Sequence, residues 1–447
     1  MHRYGDEVAA IARPLVDEGD LDVLLDRVGD ARVVMIGEAS HGTHEYYVWR
    51  SALTRRLIAE RGFSFVAVEG DWPDCQRVDA SVRGGDATPL EALLGYERWP
   101  TWMWANEEVV DFADWLRSFN ASSERKIGFH GLDVYSMWES LREILTWLRE
   151  HDPSRVDAAL SAYHCLSAYS EDPQSYAWAT KFLRASCEDD VVRMLIDLRG
   201  RDLAAPNDSA PNDSAPTGSA TRPNDFAARW NDFAVRQNAE VVAGAEHYYR
   251  AMVRGGPDSW NVRDRHMDAT LARLLDHYGD GSRAVVWAHN THVGDANATD
   301  QAVQGEVTIG SLARERFGAD QVVLVGLGGH RGSVIAGRTW GGPMTELAVP
   351  PGRPGSLEDI LHATAPPRAL FVFPPLGERP DLLVDALPHR AIGVVYRPEH
   401  EQYGNYVPSV IGDRYDAFLW FDETRALRPL HPLHVDTHEL ETYPTGV

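Results

Sequence analysis

The feature that most constrains this chain is a series of short, unbroken apolar runs, rich in β-branched residues, that alternate with longer amphipathic stretches. Val33–Glu38, Phe65–Glu69, Ile127–Gly131, Ala284–His289, Val322–Gly326, Leu370–Phe373, Ala391–Tyr396 and Phe418–Phe421 read as strands. Uninterrupted apolar runs suit strands covered on both faces, as in parallel sheets. The first two runs lead into helical segments, His44–Arg61 and roughly Pro73–Val82, which is a βα pattern. The predicted fold class is α/β, a mainly parallel central sheet flanked by helices.

From about Ser136 to Tyr278 the periodicity is helical, with no convincing strand. This predicts one domain over residues 1–447 in which a helical lobe, about 136–280, is inserted between sheet halves at about 30–135 and 281–430, forming a cleft. Inside the lobe, Ala205-Pro206-Asn207-Asp208-Ser209 is repeated at once from Ala210 to Ser214. Such residues bury too little apolar area to offset ordering entropy, so 205–223 is expected to be a flexible low-complexity loop.

Charge excludes one class of partner. Lys and Arg number 43 against 67 Asp and Glu, a net charge of −24. An acidic surface without a basic run repels phosphate backbones, so nucleic acid is not an expected partner. No apolar run approaches the roughly 18 residues needed to cross a bilayer, and Met1–Glu7 lacks the apolar core of a signal peptide. Three cysteines, Cys75, Cys165 and Cys187, are too few for a disulfide framework, and none forms a CxxC pair. Together these predict a soluble, cytoplasmic protein with reduced thiols and no membrane partner.

The chemistry gathers where the strands end. The first run closes in Gly37-Glu38-Ala39-Ser40-His41-Gly42-Thr43-His44-Glu45, two glycines bracketing carboxylate and imidazole in a strand-to-helix turn. The second closes in Val68-Glu69-Gly70-Asp71-Trp72, the third in His130-Gly131-Leu132-Asp133, and a later one in Trp287-Ala288-His289-Asn290-Thr291-His292-Val293-Gly294-Asp295. The carboxyl edge of a parallel sheet is where α/β proteins bind ligands. A neutral imidazole there can take a proton from water, a carboxylate can orient it, and a second imidazole or an Arg can donate to an oxyanion. That combination is hydrolysis by activated water. The same His41, His44, His289, His292, Glu38 and Glu69 could instead ligate zinc or a metal pair, although His289-x-x-His292 is a weak motif and no HExxH is present. A serine nucleophile lacks its Gly-x-Ser-x-Gly elbow, since Ser40 stands in the wrong spacing. Gly326–Gly332 leads into Ser333-Val334-Ile335-Ala336 and not into a helix, which discards dinucleotide binding.

These motifs, with Ile392-Gly393-Val394-Val395-Tyr396-Arg397-Pro398 and Tyr415–Thr424, resemble the erythromycin esterase family from about Val33 to Leu430. The resemblance implies a metal-independent, cofactor-free hydrolase that opens an ester or macrolide lactone with water, with a role in the response to antibiotics. It implies His41 as general base with Glu38 beside it, Glu69 and His289 as catalytic partners, and Arg50, His292 and His44 as substrate contacts. It also implies a small-molecule substrate that is large and partly apolar. Thr101–Glu108 and Ser259–Asp264 resemble a broader branch of the family, and their aromatics are expected either to line a pocket for an apolar ring or to pack in the core. A protein that binds a small hydrophobic molecule without turning it over is the remaining alternative.

Overall fold

The computed structural model describes residues 3–169, 173–183, 186–199 and 223–432. The expected loop at 205–223 lies outside them but for Pro223, which opens a helix running to Met252.

The described strands are β1 (Ala12–Pro14), β2 (Val33–Ile36), β3 (Phe65–Val68), β4 (Gly128–Gly131), β5 (Ala284–Trp287), β6 (Val322–Gly337), β7 (Met344–Val349), β8 (Arg368–Val372), β9 (Ala386–Arg390), β10 (Tyr406–Val410) and β11 (Ala417–Thr424). Among the described residues, nine of them form one sheet in the order β1-β8-β11-β6-β2-β5-β3-β4, with β7 paired to β6, while β9 and β10 form a hairpin. The centre is parallel throughout: β2 pairs with both β5 and β6, and β3 with β5 and β4. Every residue of β2, β3, β4 and β5 is buried, as the unbroken apolar runs require. The antiparallel pairings lie at β1–β8, β8–β11 and β6–β7.

Two runs differ from the sequence reading. Ala391–Tyr396 is not a strand; it spends its hydrogen bonds on the turn after β2 and on the end of β6. Ile392 N donates to Ala39 O at 2.8 Å, Gly337 N to Val394 O at 2.9 Å and Tyr396 N to Gly337 O at 2.8 Å. The strand lies just before it, at β9. β6, in turn, runs on through its glycines to Gly337, because Gly332–Gly337 finds a partner in β7.

The helix His44–Arg61 follows β2 and ends at Gly62, whose φ of 75° is the left-handed cap that favours glycine. The helix Trp72–Val82 follows β3. By contact the chain divides into two compact units. The first comprises residues up to Asp133 and from Gly255 onward and contains the sheet. The second, Val134–Arg254, is helical over its described residues and includes Met137–His151, Val156–Ser167, Glu188–Arg199 and Pro223–Met252. The last helix of the helical stretch, Asp258–Tyr278, counts with the first unit. The expectation of reduced thiols fails for Cys165 and Cys187, which form a disulfide within the second unit; Cys75 is free and buried. Spacing alone gave no sign of that pairing across a sequence separation of 22, which the described helix Pro173–Leu183 partly spans.

Candidate active site

The turn after β2 holds Glu38 and His41 in a cramped corner. Glu38 is 1% and His41 2% exposed, and His41 Nδ1 lies 3.0 Å from Glu38 Oε1. A carboxylate only accepts, so Nδ1 carries the proton and Nε2 presents a lone pair. Nε2 has no hydrogen-bond partner among the described residues and is not sealed from solvent. Tyr47 O–H donates to the His41 carbonyl at 3.0 Å and to Met103 O at 2.8 Å, which pins the backbone. Gly42 follows because a Cβ there would strike the Ile335 carbonyl of β6. Ser40 is buried with its hydroxyl against Thr43 Oγ1.

Arg50, two turns into the helix, lies wholly buried behind Glu38, with Nη1 3.3 Å from Oε1. Its guanidinium is flanked by the faces of Tyr47 at 4.3 Å, Trp287 at 4.8 Å and Trp104 at 5.6 Å. Cation–π contact offsets some of the cost of a cation with so few hydrogen bonds.

Two residues past β5 stands His289, whose ring centroid is 4.8 Å from that of His41. His289 caps the short helix Asn290–Val293: its Nδ1 lies 2.8 Å from Thr291 Oγ1 and accepts from Thr291 N at 3.3 Å. Because Nδ1 accepts a backbone N–H, the neutral ring carries its proton on Nε2. Burial, with His41 and His292 nearby, pushes the His289 pKa well below the ordinary histidine value, against the pull of Glu69. The result is an uncharged ring with a buried Nε2–H that makes no hydrogen bond of ordinary length among the described residues, although the Ala39 backbone also draws on the ring.

Glu69, at the end of β3, ties the two motifs together. Its Oε2 accepts His289 N–H at 2.8 Å, and its Oε1 accepts Arg263 Nη2–H at 2.5 Å. Burial raises the Glu69 pKa, but His292, Arg263, His41 and the His289 N–H outweigh it and hold the carboxylate far below its usual range. Arg263, on the helix Asp258–Tyr278, also grips Asp133 through Nε at 3.0 Å and Nη2 at 2.8 Å. His292 is fully enclosed. Its Nδ1 donates to Asp264 Oδ2 at 2.9 Å, and its ring stacks on Trp260 at 4.3 Å with 8° between planes. Its Nε2 is 3.1 Å from Arg263 Nη1 and 3.5 Å from Glu69 Oε1, so it accepts from the guanidinium when neutral and donates to Glu69 when charged. Burial opposes that charge, yet Asp264 and Glu69 raise the pKa above the ordinary value.

Of the residues singled out in the sequence, Glu38, His41, Glu69, His289 and His292 meet in one network, with Arg50 behind Glu38. His44 stands apart. Its Nδ1 is 2.6 Å from Glu108 Oε1 and its Nε2 is 2.6 Å from Arg425 Nη2, so both nitrogens are taken at the start of the helix. His130 also turns elsewhere, with Nε2 2.8 Å from the Tyr278 hydroxyl; Asp133, beyond that strand, is what reaches the network. None of Arg263, Asp264 and Asp133 was assigned a role; Asp133 stands in the strand-end motif His130-Gly131-Leu132-Asp133, and the signal for Arg263 and Asp264 is the charged pair inside Ser259–Asp264. Trp102, Trp104 and Trp260 are buried; Trp104 Nε1 donates to the Glu69 carbonyl at 2.9 Å and Trp260 Nε1 to Val307 O at 2.7 Å. Trp102 also borders a cavity of about 260 Å³ with Tyr96, Trp99 and Met344. Among the described residues no group of three or more His, Cys, Asp and Glu is disposed to hold a metal ion, and the Arg263 guanidinium occupies the space between Glu69 and Asp133.

Comparison with known proteins agrees with this description. Residues 58–424 match the family model described as Erythromycin esterase. An erythromycin esterase type II of Escherichia coli is 31% identical over 116 residues, 26% of either chain, so the match spans about a quarter of that relative. A protein of Bacillus subtilis (strain 168) that carries the name hydrolase, YbfO, is 20% identical over 415 residues, 90% of this chain and 86% of its own. Among solved structures, a Bacillus cereus protein superposes with a TM-score of 0.76 at 18% identity, covering 96% of this chain and 99% of that one. A mutant of the erythromycin esterase EreC in its open conformation gives 0.63 at 15%, covering 92% and 95%. At such identities the structures establish a shared fold.

Proposed function

The chain belongs to the erythromycin esterase family, and from that premise we propose that it hydrolyses an ester or lactone by general-base activation of water. The observation that carries this reading is the complementary pair of imidazoles: His41 offers an Nε2 lone pair, and His289, 4.8 Å away by ring centroid, offers an Nε2–H. One is a base and the other a donor, which is what addition of water to a carbonyl needs.

In the proposed reaction His41 Nε2 takes a proton from water as the oxygen adds to the carbonyl carbon. The oxyanion that forms accepts from His289 Nε2–H. Collapse breaks the carbon–oxygen bond of the leaving group, and His41 returns its proton to that alkoxide, leaving an acid and an alcohol. Glu38 keeps the proton on Nδ1 and stabilises the imidazolium, and Arg50 balances the Glu38 charge without touching substrate. Glu69 orients the His289 backbone, while Arg263, Asp133, Asp264 and His292 hold Glu69 in place. In this reading His292 and Arg50 are positioning residues, and His44 has no part in the chemistry.

A macrolide lactone is the proposed substrate class, drawn from the family, with a role in the response to antibiotics. Against a metal-dependent mechanism through Glu38 and Glu69 stand the cations already on them, Arg50 at Glu38 Oε1 and Arg263 at Glu69 Oε1. The test is incubation with a panel of macrolides and simple esters followed by mass spectrometry. Gain of one water supports the hydrolase; saturable binding without product would make the protein a binder.

A further inference from the structure

A second buried carboxylate–imidazole pair lies against Asn290, the residue between His289 and Thr291. His389, at the end of β9, has Nδ1 2.8 Å from Glu358 Oε1, and each side chain is 1% exposed. The Arg390 N–H donates to the same oxygen at 2.9 Å, so the carboxylate is fixed and the imidazole proton belongs on Nδ1. His389 Nε2 is then an acceptor, and it faces Asn290 Nδ2, a donor, at 3.5 Å. Burial keeps the His389 pKa below its ordinary value despite Glu358, with Arg414 and Arg390 acting in the same direction as burial. A charged ring would set N–H against N–H.

Asn290 cannot turn its amide to escape. Nδ2 donates to Leu327 O at 2.7 Å and Oδ1 accepts Leu327 N–H at 3.3 Å, which fixes oxygen and nitrogen. Its backbone N donates to the Glu38 carbonyl at 2.8 Å, and its Oδ1 lies so close to Gly37 that a Cβ there would collide with it. One residue therefore joins the turn that carries His41 to the turn that carries His289.

We infer that His389, oriented by Glu358, is a positioning residue of the hydrolytic site: its neutral ring accepts from Asn290 and so sets the spacing of His289 from His41. The inference rests on the hydrolase reading for its catalytic consequence but not for its geometry. Misplacement by about 1 Å costs catalysis on the order of 100-fold.

Three measurements test it. In the wild-type protein, nitrogen NMR of His389 must report the Nδ1–H tautomer; an Nε2–H ring overturns the inference whatever any variant does. His389→Phe keeps a ring and removes the acceptor, whereas His389→Gln offers an oxygen near the place of Nε2. In the Phe variant, exchange of the Asn290 backbone N–H should quicken by about tenfold or more, with Val66 in β3 unchanged, and the Gln variant should restore it. Unchanged exchange contradicts the inference. In parallel, kcat should fall about 10- to 100-fold at constant KM in the Phe variant and recover in the Gln variant at similar thermal stability. Quickened exchange with full kcat would also sink it. A wild-type protein that turns over no ester would instead refute the hydrolase reading, while the tautomer and exchange results still decide the role of His389.

Discussion

At the scale of single residues, the proposed chemistry depends on which nitrogen of each histidine holds a proton. For His41 that choice is made by Glu38, so Glu38→Gln, which leaves the shape and removes the charge, should lower kcat by about 10²–10⁴ with little change in KM. Steady-state kinetics on the folded variant checks it, and a near-normal kcat would detach Glu38 from the chemistry. For His289 the choice is made by the Thr291 N–H. Replacing it by Phe removes the oxyanion donor and should cost about 10²–10³ in kcat, the usual share of one such donor. Because burial holds His289 neutral, its ring resonances should not shift between about pH 5 and 8; titration in that window would contradict the donor role. The sequence displayed these residues plainly, since each stands at a strand end in a motif with glycine or a second histidine. It could not display tautomers, because these depend on how the turn folds, which brings Thr291 N onto His289 Nδ1 and Glu38 Oε1 onto His41 Nδ1. Nor did it single out Arg263, whose partners Glu69 and Asp133 lie 194 and 130 residues away.

At the scale of elements, the site depends on backbones that approach too closely for any side chain but hydrogen. Gly42 abuts the carbonyl of Ile335, so Gly42→Ala must shift either the His41 turn or β6. The expected cost is about 1–3 kcal/mol of stability, as for other overpacked interiors, together with loss of turnover. Urea unfolding measures the first, and an unchanged midpoint would mean that β6 yields freely. The parallel core and the helix His44–Arg61 were legible because their signals are local: apolar runs of strand length, and amphipathic spacing after a turn. Ala391–Tyr396 misled for a physical reason. Its composition is that of a strand, yet its hydrogen bonds go to Ala39 and Gly337, and pairing partners are not written in composition. β1, β7, β9 and β10 were missed from the other side: each is partly exposed, and their mixed patterns do not separate from loop.

At the scale of the molecule, buried histidines make stability depend on pH. Burial depresses the pKa of His130, His266 (to about 3), His289, His330 and His389 in the folded chain. Below the unfolded value near 6.5, the unfolded chain binds protons that the folded one refuses, so stability falls as pH drops from there. Each such proton contributes up to about 1.4 kcal/mol per pH unit. His292, whose folded pKa is raised, acts in the opposite sense: its contribution is full below about 6.5 and fades as pH rises through the folded value. With five against one, the urea midpoint should fall from about pH 7 to about pH 5; a flat or rising midpoint would show that these rings are not held neutral. No described helix is long and apolar enough to cross a membrane. The same charged and hydrogen-bonded interior bears on the central claim, that a histidine activates water without a metal. The most direct measurement is ester or lactone hydrolysis by chelator-dialysed wild-type protein beside folded His41→Ala. Wild-type turnover should survive dialysis in full, and the variant should lose about 10²–10⁴. Near-normal turnover by the variant, or wild-type activity that vanishes on dialysis and returns with stoichiometric zinc, would contradict that claim.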